Sequence, residues 1–304
     1  MSARPLASYL HLAETGELAE RAAQAQQCLA ECRLCPHECR VNRLNGELGG
    51  CRTGTEPVVS SFGPHFGEEA PLVGRCGSGT IFLTNCNLRC VFCQNADISH
   101  LGEGAVVTRE QLAQMMVSLQ ERGCHNINFV TPTHQVPQIL SALLLAIEQG
   151  FSIPLVYNCG GYESVETLQL LGGVFDIYMP DCKYSDDAVA ERLSGARGYW
   201  QHNQAALREM HQQVGDLVND ADGIAVKGLL VRHLVLPNGL AGTERVMQFL
   251  AGLSTNTYVN VMAQYRPCFN AHQHPELARR PSDQEYEEAV RLAREAGLRR
   301  GDRG

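Results

Sequence analysis

The sequence predicts an α/β fold, a partial (βα)6 barrel of the TIM type behind a small cysteine-rich module, on three observations. From about residue 80, short apolar runs rich in β-branched and aromatic residues alternate with segments whose apolar residues recur every three or four positions. Six such runs occur, and since eight βα units take about 250 residues, six take about 190, so the span 80–298 fits with room for one insertion. Residues 28–63 show neither period and are dense in Cys, Gly and Arg. This places a domain boundary between residues 1–63 and 64–304. Alternation of this kind implies parallel strands joined by right-handed helical crossovers. A doubly wound open sheet is the competing architecture.

Taken in order, "MSARPLASYLHLAETGELAERAAQAQQ" mixes charges into every turn and reads as an amphipathic helix without signal-peptide character. The strands are "TIFLT" (80–84), "NINFV" (126–130), "IPLVYN" (153–158), "FDIYM" (175–179), "GLLVRHLVL" (228–236) and "TYVNVMAQY" (257–265). Thr108 with Gln111 and Ser282 with Glu285 have the spacing of helix-opening capping boxes, and Ser164 opens a helix that closes on glycine. The insertion falls at 185–226, where "YWQHNQAALREMHQQVG" reads as an added helix, and the final "LRRGDRG" reads as a solvated tail.

A formal charge of −8 and the lack of a Lys/Arg-rich run argue against a protein that tracks nucleic-acid phosphates. The longest apolar run, "ILSALLLAI" at 139–147, is far short of the ~20 residues of a membrane span. Thirteen cysteines without an export signal point to a reducing cytoplasm, where clusters at short spacing hold metal more often than disulfides.

The stretch "TIFLTNCNLRCVFCQN" carries Cys86, Cys90 and Cys93 directly after an apolar strand, at the carboxyl end where α/β enzymes place their chemistry. One short loop with these spacings can wrap three corners of a cubane iron–sulfur cluster and leave the fourth iron open. Two other readings fit three thiols: a catalytic zinc with water in the fourth position, and small apolar core residues that fall close together.

The CxxxCxxC of "CNLRCVFC" resembles the signature of the radical S-adenosylmethionine superfamily. The resemblance implies a 4Fe–4S cluster whose open iron is chelated by the amine and carboxylate of S-adenosylmethionine, and a 5′-deoxyadenosyl radical that takes hydrogen from a substrate. "GTIFLTNCNLRCVFCQNADIS", "NINFVTPTH", "PLVYNCGGYE", "DIYMPDCKY", "VRHLVLP" and "MAQYRP" together resemble the pyruvate formate-lyase activating enzyme-like, or PflX-like, group, over nearly the whole chain. By that resemblance Asp181 and Lys183 of "MPDCKY", ending the fourth strand, meet the cofactor's carboxylate region. An ammonium that pairs with a carboxylate and an aspartate that offsets it or binds a cation are sensible chemistry there. Arg232 matches an arginine near the cofactor in relatives; its neighbour His233 points the other way along the strand and reads as a packing residue. Relatives carry Gly-Gly-Glu where this chain has "VTPTH", so Thr131 and Thr133, the backbone around Pro132, or His134 are the substitutes that accept the cofactor's amine. Asn158 and the glycines after it fit either a close approach to cofactor or cation or a plain strand-to-helix turn. Gln264 and Tyr265 are candidates for substrate or adenine contacts.

A second group, Cys32, Cys35, Cys39 and Cys51, has room for a closed structural zinc site or an auxiliary iron–sulfur cluster, with plain reduced thiols as the alternative. Glycines at 46, 49 and 50 allow the turn that returns Cys51 to the others, and Cys28 and His37 are substitute ligands. The remaining cysteines read as packed thiols, with Cys159 and Cys182 near enough to strand ends to donate hydrogen in a radical pocket. Three functions compete: a radical enzyme acting on a protein as glycyl-radical activators do, one acting on a small molecule, and a non-catalytic iron–sulfur or zinc carrier. Either radical reading implies an electron donor such as flavodoxin or ferredoxin. A carrier needs no open iron.

Overall fold

The structure, a computed structural model, describes residues 6–301. The amphipathic segment forms two helices, α1 (Tyr9–Glu14) and α2 (Glu17–Gln27), because Gly16 between them takes φ 82°; its first five residues lie outside the described range. Residues 28–57 hold one short 3₁₀ turn (Arg43–Asn45) and otherwise irregular backbone. Then come β1 (Val58–His65), α3 (Ala70–Val73), β2 (Ser78–Leu83), β3 (Ala105–Val106), α4 (Arg109–Glu121), β4 (Ile127–Val130), α5 (Val136–Glu148), β5 (Leu155–Cys159), α6 (Val165–Leu170) and β6 (Ile177–Pro180). The chain continues through α7 (Asp187–Ser194), α8 (Tyr199–Val214), β7 (Val218–Asn219), β8 (Ala225–Leu234), α9 (Thr243–Leu253), β9 (Tyr258–Met262) and α10 (Asp283–Glu295).

The six expected strands pair in parallel in the order β2-β4-β5-β6-β8-β9, and among the described strands β9 has β8 as its one partner and does not close onto β2, which leaves the barrel partial. Side chains alternate across it as strand geometry requires. On β5, Val156 faces the interior with Ile177, Met179 and Leu230, while Tyr157 faces the helix layer with Tyr178 and Leu229. Each fully buried aliphatic or aromatic side chain contributes roughly 1.5–3 kcal/mol.

β1 is a seventh long strand that the period of the sequence does not show: it runs antiparallel to β2, with His65 opposite Ser78, and carries β3 on its outer edge. "VVSSFGPH" contains Gly and Pro and has no clean alternation, which is tolerated at a sheet margin. The boundary read at 63/64 falls inside this strand. Across the open seam, Asn260 on β9 donates to the Glu69 carboxylate at 3.0 Å.

Two expectations need correction. The Tyr199–Val214 segment is not an addition to the barrel: α8 packs on β6, β8 and α6 and so forms the crossover between them, while α7 is the extra helix. The final segment is not solvated from its start, since Leu298 is buried and the Arg300 carbonyl accepts from Val259 N at 3.1 Å; residues 302–304 lie outside the described range. Both capping boxes form, with Thr108 Oγ1 and Ser282 Oγ each accepting a backbone N–H at 3.2 Å, worth about 1 kcal/mol apiece. The apolar run 139–147 lies in α5, where its buried face meets α2 and α4. Among the described residues no helix is long and apolar enough to cross a membrane.

Candidate functional site

After β2 the chain turns sharply because Asn85 takes a left-handed φ of 71°, a conformation Asn tolerates better than most residues. The turn lifts Cys86, Cys90 and Cys93 onto the barrel's carboxyl end, where other elements grip the loop. Arg89 N and Val91 N donate to the Ser194 and Leu193 carbonyls of α7 at 2.8 and 2.9 Å. Asn87 Nδ2 donates to the Tyr162 carbonyl at 2.8 Å, and His100 Nε2 donates to the Cys90 carbonyl at 3.1 Å. Phe92 is buried edge-on against Tyr184 and Tyr265, with centroids 6.5 and 5.7 Å away.

Each sulfur has a polar neighbour: Ser194 Oγ donates to Cys90 at 3.0 Å, Leu88 N donates to Cys86 at 3.3 Å, and Ser99 Oγ lies 3.1 Å from Cys93. Burial, reinforced at Cys86 by the neighbouring thiols, pushes the Cys86 and Cys90 thiols above their ordinary range. An electropositive iron is the kind of partner that draws off those protons. Among the described residues no three His, Cys, Asp or Glu side chains converge on a point that one metal ion could hold. Three cysteines on one loop suit a cubane, in which each thiolate takes its own iron.

The ends of β5, β6 and β8 supply a charged triad. Asp181 bridges in register with Arg232, and its carboxylate accepts from Arg232 Nε at 2.9 Å and from the Lys183 ammonium. Arg232 Nη2 donates to Asn158 Oδ1 at 2.7 Å. Burial works against the Asp181 charge, but Arg232 and then Lys183 outweigh it and hold the carboxyl below its usual range. Burial likewise opposes the Lys183 ammonium, yet Asp181 and Cys90 hold it at about 12. Gly161 permits this packing: at its φ of 73° an added Cβ would sit 2.0 Å from the Asp181 carbonyl oxygen.

The triad and the loop open into one cavity of about 360 Å³, lined by Cys90, Cys93, Asn158, Asp181, Lys183 and Arg232. Its facing wall comes from β1 and the turn after it: His65 Nδ1 and Glu68 Oε1 lie 3.0 Å apart, and burial raises the Glu68 carboxyl although Arg232 opposes the shift. Sequence reasoning missed both residues; the signal available was a His and a Glu three apart in a segment without period. It also missed the sulfur partners Ser99 and Ser194, the latter 104 positions from Cys90.

Other sequence candidates fall elsewhere. Thr131 and Thr133 are absent from the cavity lining; Thr133 Oγ1 donates to buried Glu163 at 2.9 Å. His134 is buried with Nε2 donating to the Thr84 carbonyl at 2.9 Å, and burial lowers it to about 4. His233 packs as expected, Nδ1 donating to the Cys182 carbonyl at 2.7 Å and Nε2 accepting from Thr243 at 2.9 Å. Gln264 lines the cavity, whereas the Tyr265 hydroxyl donates to the Leu277 carbonyl at 2.8 Å. Cys159 and Cys182 do not line it; Cys182 Sγ donates to Asn203 at 2.9 Å. Cys32 and Cys51 are buried, Cys35 is half-buried and Cys39 exposed, while Cys28 donates back to Gln24 O of α2 at 3.4 Å.

A model of the radical SAM superfamily matches residues 80–224, from β2 through the crossover that precedes β8. An uncharacterized protein of Methanocaldococcus jannaschii is 34% identical over 284 residues, 90% of this chain and 77% of the relative. Among solved structures, HydG, a maturase of the FeFe-hydrogenase, aligns with a TM-score of 0.51 at 15% identity over 73% of this chain and 50% of its own, so the chain spans about half of it. Methylornithine synthase aligns at 17% identity with a TM-score of 0.45, over 73% of this chain and 63% of its own. The HydG likeness concerns the fold and agrees with a partial barrel of mostly parallel strands. Three cysteines at a parallel strand's end, with a charged cavity beside them, thus fall within a segment, residues 80–224, that carries a radical SAM superfamily domain, a domain that implies a 4Fe–4S cluster and S-adenosylmethionine.

Proposed function

We propose that this chain is a radical enzyme of the activating-enzyme kind, represented in the PflX-like group, that abstracts hydrogen from a segment of another protein offered at its barrel mouth. The observation that carries the reading is the cavity: it joins the cysteine loop to the Asp181–Lys183–Arg232 triad, and its lining contains no residue of 185–226 or of α10. Its volume lies at the low end of the roughly 300–1,000 Å³ of small-molecule sites, so a ligand of the cofactor's size takes up most of it. A substrate reached through an uncapped mouth needs no further room.

Cys86, Cys90 and Cys93 would each hold one iron, with Ser194, Leu88 N and Ser99 as hydrogen-bond partners for the sulfurs. Lys183 and Arg232 would receive the methionyl carboxylate, Asp181 would keep both cations oriented, and Asn158 would fix the Arg232 fork. When bound, the cluster and cofactor supply one electron to a sulfonium and a hydrogen-abstracting 5′-deoxyadenosyl group. That electron would come from a low-potential carrier such as flavodoxin or ferredoxin. A non-catalytic carrier has no use for a buried cation pair beside its sulfurs. Buried Glu68 opposite Arg232 favours a second reading, a small polar substrate, since it offers an acceptor inside the cavity.

Anaerobic, reconstituted protein given dithionite and S-adenosylmethionine should release 5′-deoxyadenosine, and Cys86→Ala should abolish it. A cluster-loaded wild type that never cleaves the cofactor would overturn the enzyme reading. Incubation with a deuterated lysate split by ultrafiltration separates the substrates: deuterium entering 5′-deoxyadenosine from the retained fraction supports a protein, and from the filtrate a small molecule.

A further inference from the structure

The cysteine-rich module ahead of the barrel has features of a second cofactor site. Cys32 anchors its framework, donating from its N–H to the Val41 carbonyl at 3.1 Å and accepting from Arg40 N at 2.9 Å. A turn closed by Glu38 N on the Cys35 carbonyl at 3.0 Å then carries the chain to Cys39. Glu38 and Arg40 flank Cys39 with φ of 40° and 55°, and Arg52 follows Cys51 with φ of 52°. Such left-handed backbone is costly away from glycine and gathers at functional sites. The returning segment presses against Cys39: a Cβ on Gly49 would lie 2.6 Å from its sulfur, two residues before Cys51.

Arg43 supplies an independent observation. It is 2% exposed, donates to the His134 carbonyl at 2.8 Å and to Cys51 Sγ at 3.4 Å, and its Nε has no hydrogen-bond partner. Among the described residues no carboxylate forms an ion pair with it. A buried guanidinium without a counter-charge is strongly unfavourable, and anionic sulfur beside it removes that cost. The sulfurs become anionic when a metal replaces their protons.

The four cysteines fall within one short irregular segment, with Cys51 against Arg43 and Cys39 against the turn at Gly49, and four thiolates are the ligand set of a closed cubane. We infer that Cys32, Cys35, Cys39 and Cys51 ligate a second 4Fe–4S cluster, closed by four thiolates and so without an open iron. It would sit against the first: His37, between Cys35 and Cys39, donates from Nε2 to the carbonyl of Asn87, the residue after Cys86, at 2.7 Å. The inference goes beyond the proposed function and does not depend on cofactor cleavage.

The test uses the full chain reconstituted anaerobically with iron and sulfide, with iron, sulfide and zinc measured per chain. Wild type should carry about eight irons, the combined variant Cys86→Ala, Cys90→Ala, Cys93→Ala about four, and Cys35→Ser about four. The combined variant leaves the module untouched, so it decides the matter even if Cys35→Ser fails to fold. Its retained cluster should give an electron paramagnetic resonance signal that S-adenosylmethionine does not alter. Four irons in wild type with none in the combined variant would overturn the inference while leaving the proposed function intact. One zinc per chain persisting in that variant would overturn it too.

Discussion

The two cysteine groups of this chain share a residue type but are held by different means. Cys86, Cys90 and Cys93 follow a parallel strand, and their loop is clamped by α7, Tyr162 and His100, with a neutralised ion triad alongside. Cys32, Cys35, Cys39 and Cys51 lie in irregular backbone with one buried arginine and no carboxylate to balance it. The first loop is held by several contacts from distant elements. The second group lies beside a buried positive charge that anionic sulfur would balance.

The largest effect expected is at the first site: Cys90→Ala should reduce 5′-deoxyadenosine formation to the level seen without protein, read by chromatography of anaerobic turnovers. Asp181→Asn should come next, since it takes from the half-buried Lys183 and Arg232 the carboxylate they share, a loss of roughly 1–3 kcal/mol seen as a lower denaturation midpoint. At the second site the order inverts with loading. Arg43→Gln should leave the metal-free chain as stable as wild type or more so, yet weaken the reconstituted protein by about 1.5–3 kcal/mol. Equal effects in both states would erase the distinction between the two sites.

Outside both groups, buried Glu163 accepts from Thr133 and Tyr157 at 2.9 Å each, and burial raises it to about 7 from 4.5. The folded chain therefore holds a proton that the unfolded chain releases. Stability present below pH 4.5 should be lost as pH rises toward 7 and level off above it, by about 3 kcal/mol in all. Glu163→Gln should flatten that slope in a series of urea melts. The smallest effect is Ser194→Ala: losing the donor to Cys90 should make the first cluster's potential more negative by roughly 50 mV, the equivalent of about 1 kcal/mol for one electron, while a thiol in the metal-free chain should be little affected.

How far the site could be read beforehand depended on how local its cause was. The three-cysteine loop, the strand that precedes it and the Asp181–Lys183 pair are short-range patterns, and alternation along β8 separated Arg232 from His233 before any contact was known. Thr131 and Thr133 do not line the cavity; their reading rested on a motif this chain lacks, and Thr133 donates to an acid buried 30 residues away. His65 and Glu68 were overlooked because β1 joins the sheet antiparallel at its margin, where neither helical nor strand period marks it.

By itself the sequence determined that six strands alternate with helical crossovers and so run parallel, which follows from the spacing of apolar runs, and that three cysteines sit on a loop at the end of the first of them. Only the tertiary structure decided what faces that loop: β1 bringing His65 and Glu68 to the cavity, α7 bringing Ser194 to Cys90, and Arg43 settling against Cys51. The physical reason is that periodicity records which side of an element is buried, whereas contacts between distant segments arise from packing and charge balance that one-dimensional spacing does not encode.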